Sequence, residues 1–189
     1  MRGQSKGSIL IHARDYVLER LGTNGWERIL RELHPDDRAL FGGVLLSASW
    51  YPVVHWNRLM DASLPRLGRD PNEGMRVLAG HIAKQDLNTV YRLVLKLGSP
   101  EFILKRTGQL WSRYYDTGTL TPKEIGPSRW KLELDAPVHI ESAPSHYTCG
   151  PGVSAWVASG LHLSGTKAEV VESRCRFREG HRCEFDVSW

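Results

Sequence analysis

The spacing of apolar residues changes near residue 118, and this change constrains the fold more than any other feature of the sequence. Before it, apolar residues recur every three or four positions, which is typical of helices with one buried face. After it, they alternate with polar residues, as Trp130, Leu132 and Leu134 do, which is typical of strands. Strands are predicted over 119–125, 130–134, 167–177 and 183–189, with one helix over 149–163.

The resulting order, several helices followed by β-β-α-β-β, predicts an α+β fold in which N-terminal helices pack on a four-stranded antiparallel sheet. Gly22 is expected to end the first helix, and Pro52 to begin the third. We expect one domain over residues 1–189, with a mainly helical part, 1–117, and a β-rich part, 118–189. The helices of the first part are predicted over 8–21, 26–33, 52–67, 71–97 and 100–117.

Composition and charge narrow the classes of function. The 189 residues carry a formal net charge of +4 with largely scattered arginines, so no nucleic-acid partner is predicted. No run approaches the roughly 18 consecutive apolar residues of a membrane span. The odd number of cysteines, three, argues against a fully paired secreted framework, and we expect a cytoplasmic location. No G-x-S-x-G, H-E-x-x-H or phosphate-binding glycine loop occurs, so an enzyme is not expected.

The cysteines converge on one candidate metal site. Cys175 and Cys183 flank a predicted hairpin turn at 178–180, which places their Cβ atoms opposite each other, about 4.5–5.5 Å apart. Cys149 begins the preceding helix, and Glu172 lies three residues before Cys175. Three thiolates and one carboxylate suit Zn²⁺, and four protein ligands make a closed, structural site.

The residues alone leave alternatives to this site open. On a regular strand Glu172 and Cys175 face opposite sides, so both can bind one ion only if the strand is bulged or ends between them. His181 or His146 can replace Glu172 as the fourth ligand. The cysteines can also be small buried hydrophobic residues, or Cys175 and Cys183 can form a disulfide.

Aromatic side chains are candidates for the wall of a ligand pocket, with ordinary core packing as the alternative for each. On one predicted helix Asp86, Asn88 and Arg92 form either a buried polar network or a surface rim. The pocket candidates are Phe102, Trp111, Tyr115, Trp130 and Trp156, with Tyr91 and Tyr114 beside them.

The C-terminal part, from about residue 118 to 189, resembles the 4-vinyl-reductase-type small-molecule sensor domain. That family ends in a cysteine-rich hairpin of the form C-x-x-x-x-G-x-x-C-x-F. The motif stands here as Cys175-Arg-Phe-Arg-Glu-Gly180-His-Arg-Cys183-Glu-Phe185.

The resemblance also implies a ligand set for zinc. In the phenol-sensing members, zinc is held by a cysteine, a glutamate three before a second cysteine, and a third cysteine eight further on. Cys149, Glu172, Cys175 and Cys183 stand in this arrangement. Those members hold the phenol hydroxyl with a histidine and a tryptophan, but no histidine occurs at 98–138, so the resemblance does not extend to phenol.

Over its whole length the chain is similar to an uncharacterised paralogous family expanded in myxobacteria. The fold implied by these resemblances is shared with the haem nitric-oxide-binding domain and with transport-particle (Bet3-like) subunits, in which helices and a four-stranded sheet enclose an apolar cavity. The residues that carry the whole-chain similarity are Trp50-Tyr51-Pro52, Gln85-Asp86-Leu87-Asn88-Thr89-Val90-Tyr91-Arg92, Leu97-Gly98-Ser99-Pro100-Glu101-Phe102, Trp111-Ser-Arg-Tyr-Tyr-Asp116 and Cys183-Glu-Phe-Asp-Val-Ser-Trp189.

Together these observations predict a zinc-stabilised sensor domain. It would bind a small apolar molecule and signal through a protein partner or through a homodimer formed by its N-terminal helices. The alternative is a non-catalytic scaffolding module with a filled core. A closed apolar cavity between the sheet and the helix containing Trp111 favours the sensor, whereas a solid core and an exposed apolar helical face favour the scaffold.

Overall fold

The computed structural model describes residues 3–89, 98–136, 145–178 and 181–189. The part of the predicted 71–97 helix that follows residue 89 lies outside these ranges. In chain order the elements are β1 (Gln4–Lys6), α1 (Gly7–Glu32), α2 (Pro35–Gly42), β2 (Trp50–Pro52), α3 (Val53–Leu67), α4 (Pro71–Thr89), α5 (Pro100–Leu104), α6 (Thr107–Tyr114), β3 (Thr119–Gly126), β4 (Arg129–Asp135), a π-helix (Thr148–Val153), α7 (Ser154–Leu163), β5 (Glu169–Arg174) and β6 (Arg182–Ser188).

Helix α1 spans both of the first two predicted helices and is kinked between them. Gly22 adopts φ 66° and ψ 177°, a left-handed backbone conformation that favours glycine and interrupts the helix. Leu10 and Val17 before the kink, and Ile29 after it, are all fully buried. The kink therefore lies at the predicted break, while the apolar face continues across it.

The predicted helix over 100–117 is two short helices instead. The Ser99 hydroxyl accepts a hydrogen bond from the backbone N–H of Phe102 at 3.3 Å, which caps the start of α5. The Thr107 hydroxyl donates to the carbonyl of Leu104 at 2.8 Å, where the chain turns into α6. A side-chain hydrogen bond to the backbone thus marks the break between the two helices.

The main sheet confirms the predicted fold class. Its four strands are antiparallel in the order β3-β4-β6-β5, and helices α5 and α7 contribute to the core on its buried face. In the central pair Leu132 lies opposite Phe185, and Leu134 opposite Cys183. A second, two-stranded sheet, β1 with β2, joins the N-terminus to the segment before α3 and was not predicted.

Strand β5 is shorter and less regular than predicted. A bulge lies between Glu172 and Arg174 where β5 pairs with β6, and the strand ends at Arg174. Cys175 therefore lies in the following turn and is not paired in the ladder with Cys183. The predicted loop at 178–180 falls partly outside the described residues.

Two clusters of buried apolar side chains make up the core. One is formed by helices α1 to α4 and contains Leu10, Leu59 and Leu78. The other lies between the sheet and helices α5 to α7 and contains Leu132 and Phe185. Helix α4 packs along α7 and the π-helix, so these elements connect the helical part to the sheet.

Within the described ranges, no helix has both the length and the apolar character needed to cross a membrane.

Candidate ligand cavity and cysteine cluster

An apolar cavity lies between the helical part of the chain and the segment that begins α7. It encloses about 50 Å³, within a concave space of about 540 Å³ that opens to solvent. Helices α1, α3, α4 and α6 supply its walls together with the π-helix and α7, and no described residue of β3 to β6 lines it. Its lining residues are Ile9, Trp56, Met75, Ala79, Ile82, Asp86, Trp111, Tyr114, Tyr115, Thr148, Gly152, Val153 and Trp156.

Aromatic rings form much of the cavity wall and hold one another in place. Trp111 and Tyr115 are stacked with their centroids 4.4 Å apart. Tyr114 meets Trp156 edge-on at 6.0 Å. Such pairs are favourable arrangements for aromatic quadrupoles, so the rings are fixed relative to each other.

The two buried indole N–H groups of the wall are already used within the protein. Trp56 Nε1 donates to Thr148 Oγ1 at 2.9 Å, and that hydroxyl donates to Asn57 Oδ1 at 3.4 Å. Trp111 Nε1 donates to the carbonyl oxygen of Thr117 at 3.0 Å. Because their N–H groups are used in these bonds, Trp56 and Trp111 present only apolar ring surface to the cavity.

One carboxylate lies in this aromatic wall. Asp86, near the end of α4, lies with Oδ1 3.1 Å from Nε2 of His12 on α1. The Asp86 side chain is 8% exposed, compared with 29% for His12. The pair therefore places a nearly buried acidic group at the cavity, with the histidine on its more open side.

The structure brings together three of the five predicted pocket residues. Trp111, Tyr115 and Trp156 line the cavity. Phe102 does not: its ring packs against the core cluster beside the sheet and has the guanidinium of Arg106 over it at 3.4 Å. Trp130 does not either, because it belongs to β4 and is buried in the core of the sheet.

Sequence reasoning placed the cavity beside the sheet and missed the contribution of α4. Met75, Ala79 and Ile82 lie on one face of that helix at helical spacing, a signal that also fits ordinary core packing. Asp86 was noted only as part of a polar group on the helix. Tyr91, the remaining aromatic candidate, lies outside the described residues.

A second cluster of functional side chains lies at the end of β5. One ligand atom each of Glu172, Cys175 and Cys183 lies within 4.8 Å of the others, a spacing compatible with a bound metal ion. The bulge and the early end of β5 allow this, since a regular strand would direct Glu172 and Cys175 to opposite sides. The thiol of Cys149, on the π-helix, contacts that of Cys183.

The alternative ligands named from the sequence lie elsewhere. His146 stacks on Tyr147 with ring centroids 4.0 Å apart, and His181 is exposed. Neither belongs to the cluster. The three cysteines are free and buried, so the alternative disulfide between Cys175 and Cys183 is not formed.

Burial controls the protonation of this cluster. It raises the pKa of Glu172, and hydrogen bonds from the thiols of Cys183 and Cys175 oppose that rise. Burial also raises the pKa of Cys175 to about 11. The contact with Cys149, followed by burial, raises the pKa of Cys183. At neutral pH Cys175 and Cys183 are therefore protonated thiols next to a half-buried carboxyl group.

No protein-family model matches the chain, and no curated relative matches it. Solved structures do. An Fe(II) unliganded H-NOX protein from K. algicida superposes with a TM-score of 0.73 at 14% identity, covering 97% of this chain and 95% of that one. An H-NOX protein from S. oneidensis in the Fe(II)NO ligation state gives 0.73 at 13% identity, covering 97% and 98%. An H-NOX domain from Shewanella oneidensis in the Fe(II)CO state gives 0.66 at 14% identity, covering 97% of each chain.

The chain has the H-NOX fold. This confirms the fold expected from the haem nitric-oxide-binding resemblance, and identities this low show the fold alone. The resemblances to the 4-vinyl-reductase-type domain and to the myxobacterial family stay predictions.

The H-NOX structures also correct the expected cofactor. Structural zinc was predicted on Cys149, Glu172, Cys175 and Cys183. The solved proteins that share the fold contain iron instead, and the structure of one of them was used to probe haem distortion in the H-NOX family. The prediction of zinc is therefore wrong, since the cofactor associated with this fold is haem. Cys175 and Cys183 are buried thiols whose pKa values are raised.

Haem itself does not fit the described residues. No described histidine or cysteine lines the cavity, although these are the side chains that most often hold haem iron. Two histidines outside the cavity have other partners, His55 with Asp37 and His81 against the ring of Tyr16. Tryptophan and tyrosine rings occupy the interior and leave only about 50 Å³ enclosed.

Proposed function

We propose that this chain is a small-molecule-binding sensor domain that uses the H-NOX fold without haem. The apolar cavity beside Trp111 carries the proposal, because a concave, largely aromatic space with a single acidic group is the usual form of a ligand site. Residues of six elements line it, so an occupant would contact most of the helical part at once.

Ligand binding would reach the rest of the protein through α4. This helix supplies Met75, Ala79, Ile82 and Asp86 to the cavity, and it also packs along α7 and the π-helix. The π-helix contributes Gly152 to the same wall, and irregular helical turns of this kind are frequent at functional sites. A ligand that separates these elements would change how the helical part packs on the sheet.

The signal would leave through another protein molecule. We propose a homodimer formed through the N-terminal helices, or a protein partner at the same surface, and a non-catalytic role for the chain. Val44 and Leu46 in the segment before β2 are 86% and 59% exposed, and they provide apolar surface next to α1. A cytoplasmic location is part of this proposal.

The second candidate function is a scaffolding module with the same fold. The small enclosed volume of the cavity and the exposed apolar side chains of Val44 and Leu46 favour it. In that case the cavity is a packing defect, and binding to protein partners does not depend on its contents.

Xenon NMR tests a condition that the sensor function requires, that an apolar guest can enter the cavity, because xenon is a small apolar probe that occupies dry apolar cavities. We expect the wild-type chain to bind xenon and Ala79→Leu, which fills the cavity from α4, to lose that binding. Val77→Leu is the matched control, since Val77 lies on the same helix and is 48% exposed. Binding that survives in Ala79→Leu, or that is absent from the wild type, would favour the scaffold.

A further inference from the structure

The chemistry of the cavity wall specifies a class of ligand. Among the lining residues Asp86 is the one that carries a formal charge, and its carboxylate is nearly buried. Trp56 and Trp111 have their indole N–H groups committed to Thr148 and Thr117. The wall therefore offers a hydrogen-bond acceptor of negative charge, and no lysine or arginine lines it among the described residues.

The rest of the cavity wall is also suited to a positively charged ligand. Five aromatic residues line the cavity, and the faces of aromatic rings attract cations through their quadrupole. The stacked pair of Trp111 and Tyr115 and the edge-on pair of Tyr114 and Trp156 fix four of these rings. Aromatic rings and a carboxylate around one space are the arrangement that recognises organic ammonium ions.

His12 holds the carboxylate in position. Its Nε2 atom lies 3.1 Å from Oδ1 of Asp86, and its side chain is the more exposed of the two. The acidic group thus stays at the cavity while the histidine contacts it from the more open side.

We infer that the ligand of this domain is a small organic ammonium ion, bound with its charged nitrogen at Asp86 and its alkyl groups against the aromatic rings. This inference rests on the proposed ligand-binding function. The cavity volume of about 50 Å³ limits a fully enclosed ligand to a few non-hydrogen atoms, since about 10–15 Å³ on the same measure holds one water. Larger ammonium compounds would extend into the open part of the concave space.

Calorimetric titration of the full chain with three probes tests the inference. The probes are trimethylammonium, the neutral molecule tert-butanol of similar shape, and the anion acetate. We expect trimethylammonium to bind at least tenfold more tightly than tert-butanol, and acetate not to bind. Binding of tert-butanol as tight as that of trimethylammonium would overturn the ammonium assignment but leave the cavity a ligand site.

Substitutions of Asp86 and His12 test whether this carboxylate is the group that binds the ammonium ion. We expect Asp86→Asn to weaken trimethylammonium binding at least tenfold and to leave tert-butanol binding unchanged. His12→Gln removes a potential positive charge and is expected to bind trimethylammonium at least as tightly as the wild type. Asp15→Asn is the matched control, because Asp15 is an exposed carboxylate of α1 paired with Arg14.

The outcomes distinguish the inference from the proposed function. Binding of trimethylammonium that is unchanged in Asp86→Asn would contradict the role of the carboxylate. Failure of both tert-butanol and trimethylammonium to bind, together with failure of xenon, would contradict the sensor function itself. Thermal unfolding of each variant shows whether a loss of binding reflects a loss of folding.

Discussion

The backbone of Gly150 lies directly against the carboxylate of Glu172. A β-carbon added at position 150 would lie 2.6 Å from Oε2 of Glu172, which is closer than such atoms approach in real structures. This contact brings the π-helix against the bulged end of β5. The absence of a side chain at Gly150 allows the two segments to approach this closely.

We predict that Gly150→Ala displaces Glu172 and destabilises the fold by about 1 kcal/mol, the low end of the usual cost of overpacking, because the displaced atoms are the end of a flexible side chain. Chemical denaturation measures this change. Gly42→Ala is the matched control, because a β-carbon at the end of α2 meets nothing within 4 Å. Equal stability of the two variants would contradict the close contact.

Asp37 is the centre of a buried charged group at the start of α2. It is fully buried, and its carboxylate pairs with Nδ1 of His55 and with the guanidinium of Arg58 at 3.3 Å. Both partners are on α3, so the group connects two helices. The sequence does not distinguish Asp37 from the adjacent Asp36, which has the same side chain but is exposed in the structure.

We predict that Asp37→Ala lowers the free energy of unfolding by about 1–3 kcal/mol, because it removes the buried carboxylate that His55 and Arg58 on α3 both contact. The exposed neighbour provides the control, and Asp36→Ala should change stability by about 0.5 kcal/mol or less. Urea denaturation of both variants measures the difference. A small effect of Asp37→Ala would show that α2 and α3 are held together by apolar packing alone.

The cysteine cluster predicts a loss of stability at alkaline pH. Burial raises the pKa of Cys175 from the ordinary value of 9.0 to about 11, so the folded state holds this proton more tightly than the unfolded chain does. The resulting stabilisation is complete below pH 9 and is lost as the pH rises through 11. Its upper limit is about 2–3 kcal/mol.

Comparison with Cys175→Ala isolates this contribution, because ionisation of lysines and tyrosines is common to both proteins. Between pH 8.5 and 10.5 the wild type should lose about 1–2 kcal/mol more stability than the variant in urea denaturation. If the free energy of unfolding falls equally with pH in the two proteins, the pKa of the Cys175 thiol is not raised.

We predict that this chain, although it has the H-NOX fold, does not bind haem in the manner of its structural neighbours. The protein produced with ample haem should be purified without a stoichiometric Soret absorption band, because the described cavity contains no histidine or cysteine to hold iron. A stoichiometric band, lost on substitution of a single histidine such as His55 or His81, would contradict this.

The fold was predictable where local patterns decide the structure. The alternation of Trp130, Leu132 and Leu134 with polar residues is a local pattern, and it correctly predicted a strand of the sheet. The bulge between Glu172 and Arg174 was stated only as a condition for a shared site, because a bulge depends on the partner strand. The short strands β1 and β2 were not predicted, because their pairing is set by contacts distant in sequence.

The site was less predictable than the fold. Trp111 and Trp156 were recognised as aromatic candidates, but aromatic residues at helical spacing carry no sign of whether they face a cavity or a filled core. That distinction separated Trp111 from Trp130. The pairing of Asp86 with His12 joins residues 74 positions apart, so no local pattern could reveal it. The zinc prediction rested on the types of side chain at the site and on a resemblance, and neither shows which cofactor is associated with the fold.

Methyl NMR during ligand titration tests the central claim, that the cavity is a binding site, most directly. The ε-methyl of Met75 and the δ-methyls of Ile9 and Ile82 belong to lining residues. On addition of trimethylammonium we expect saturable shifts of these signals, while the signal of the exposed Ile125 on β3 stays unchanged. If xenon, tert-butanol and trimethylammonium all leave the three cavity methyl signals in place, the cavity is not a ligand site, and the sensor function is contradicted.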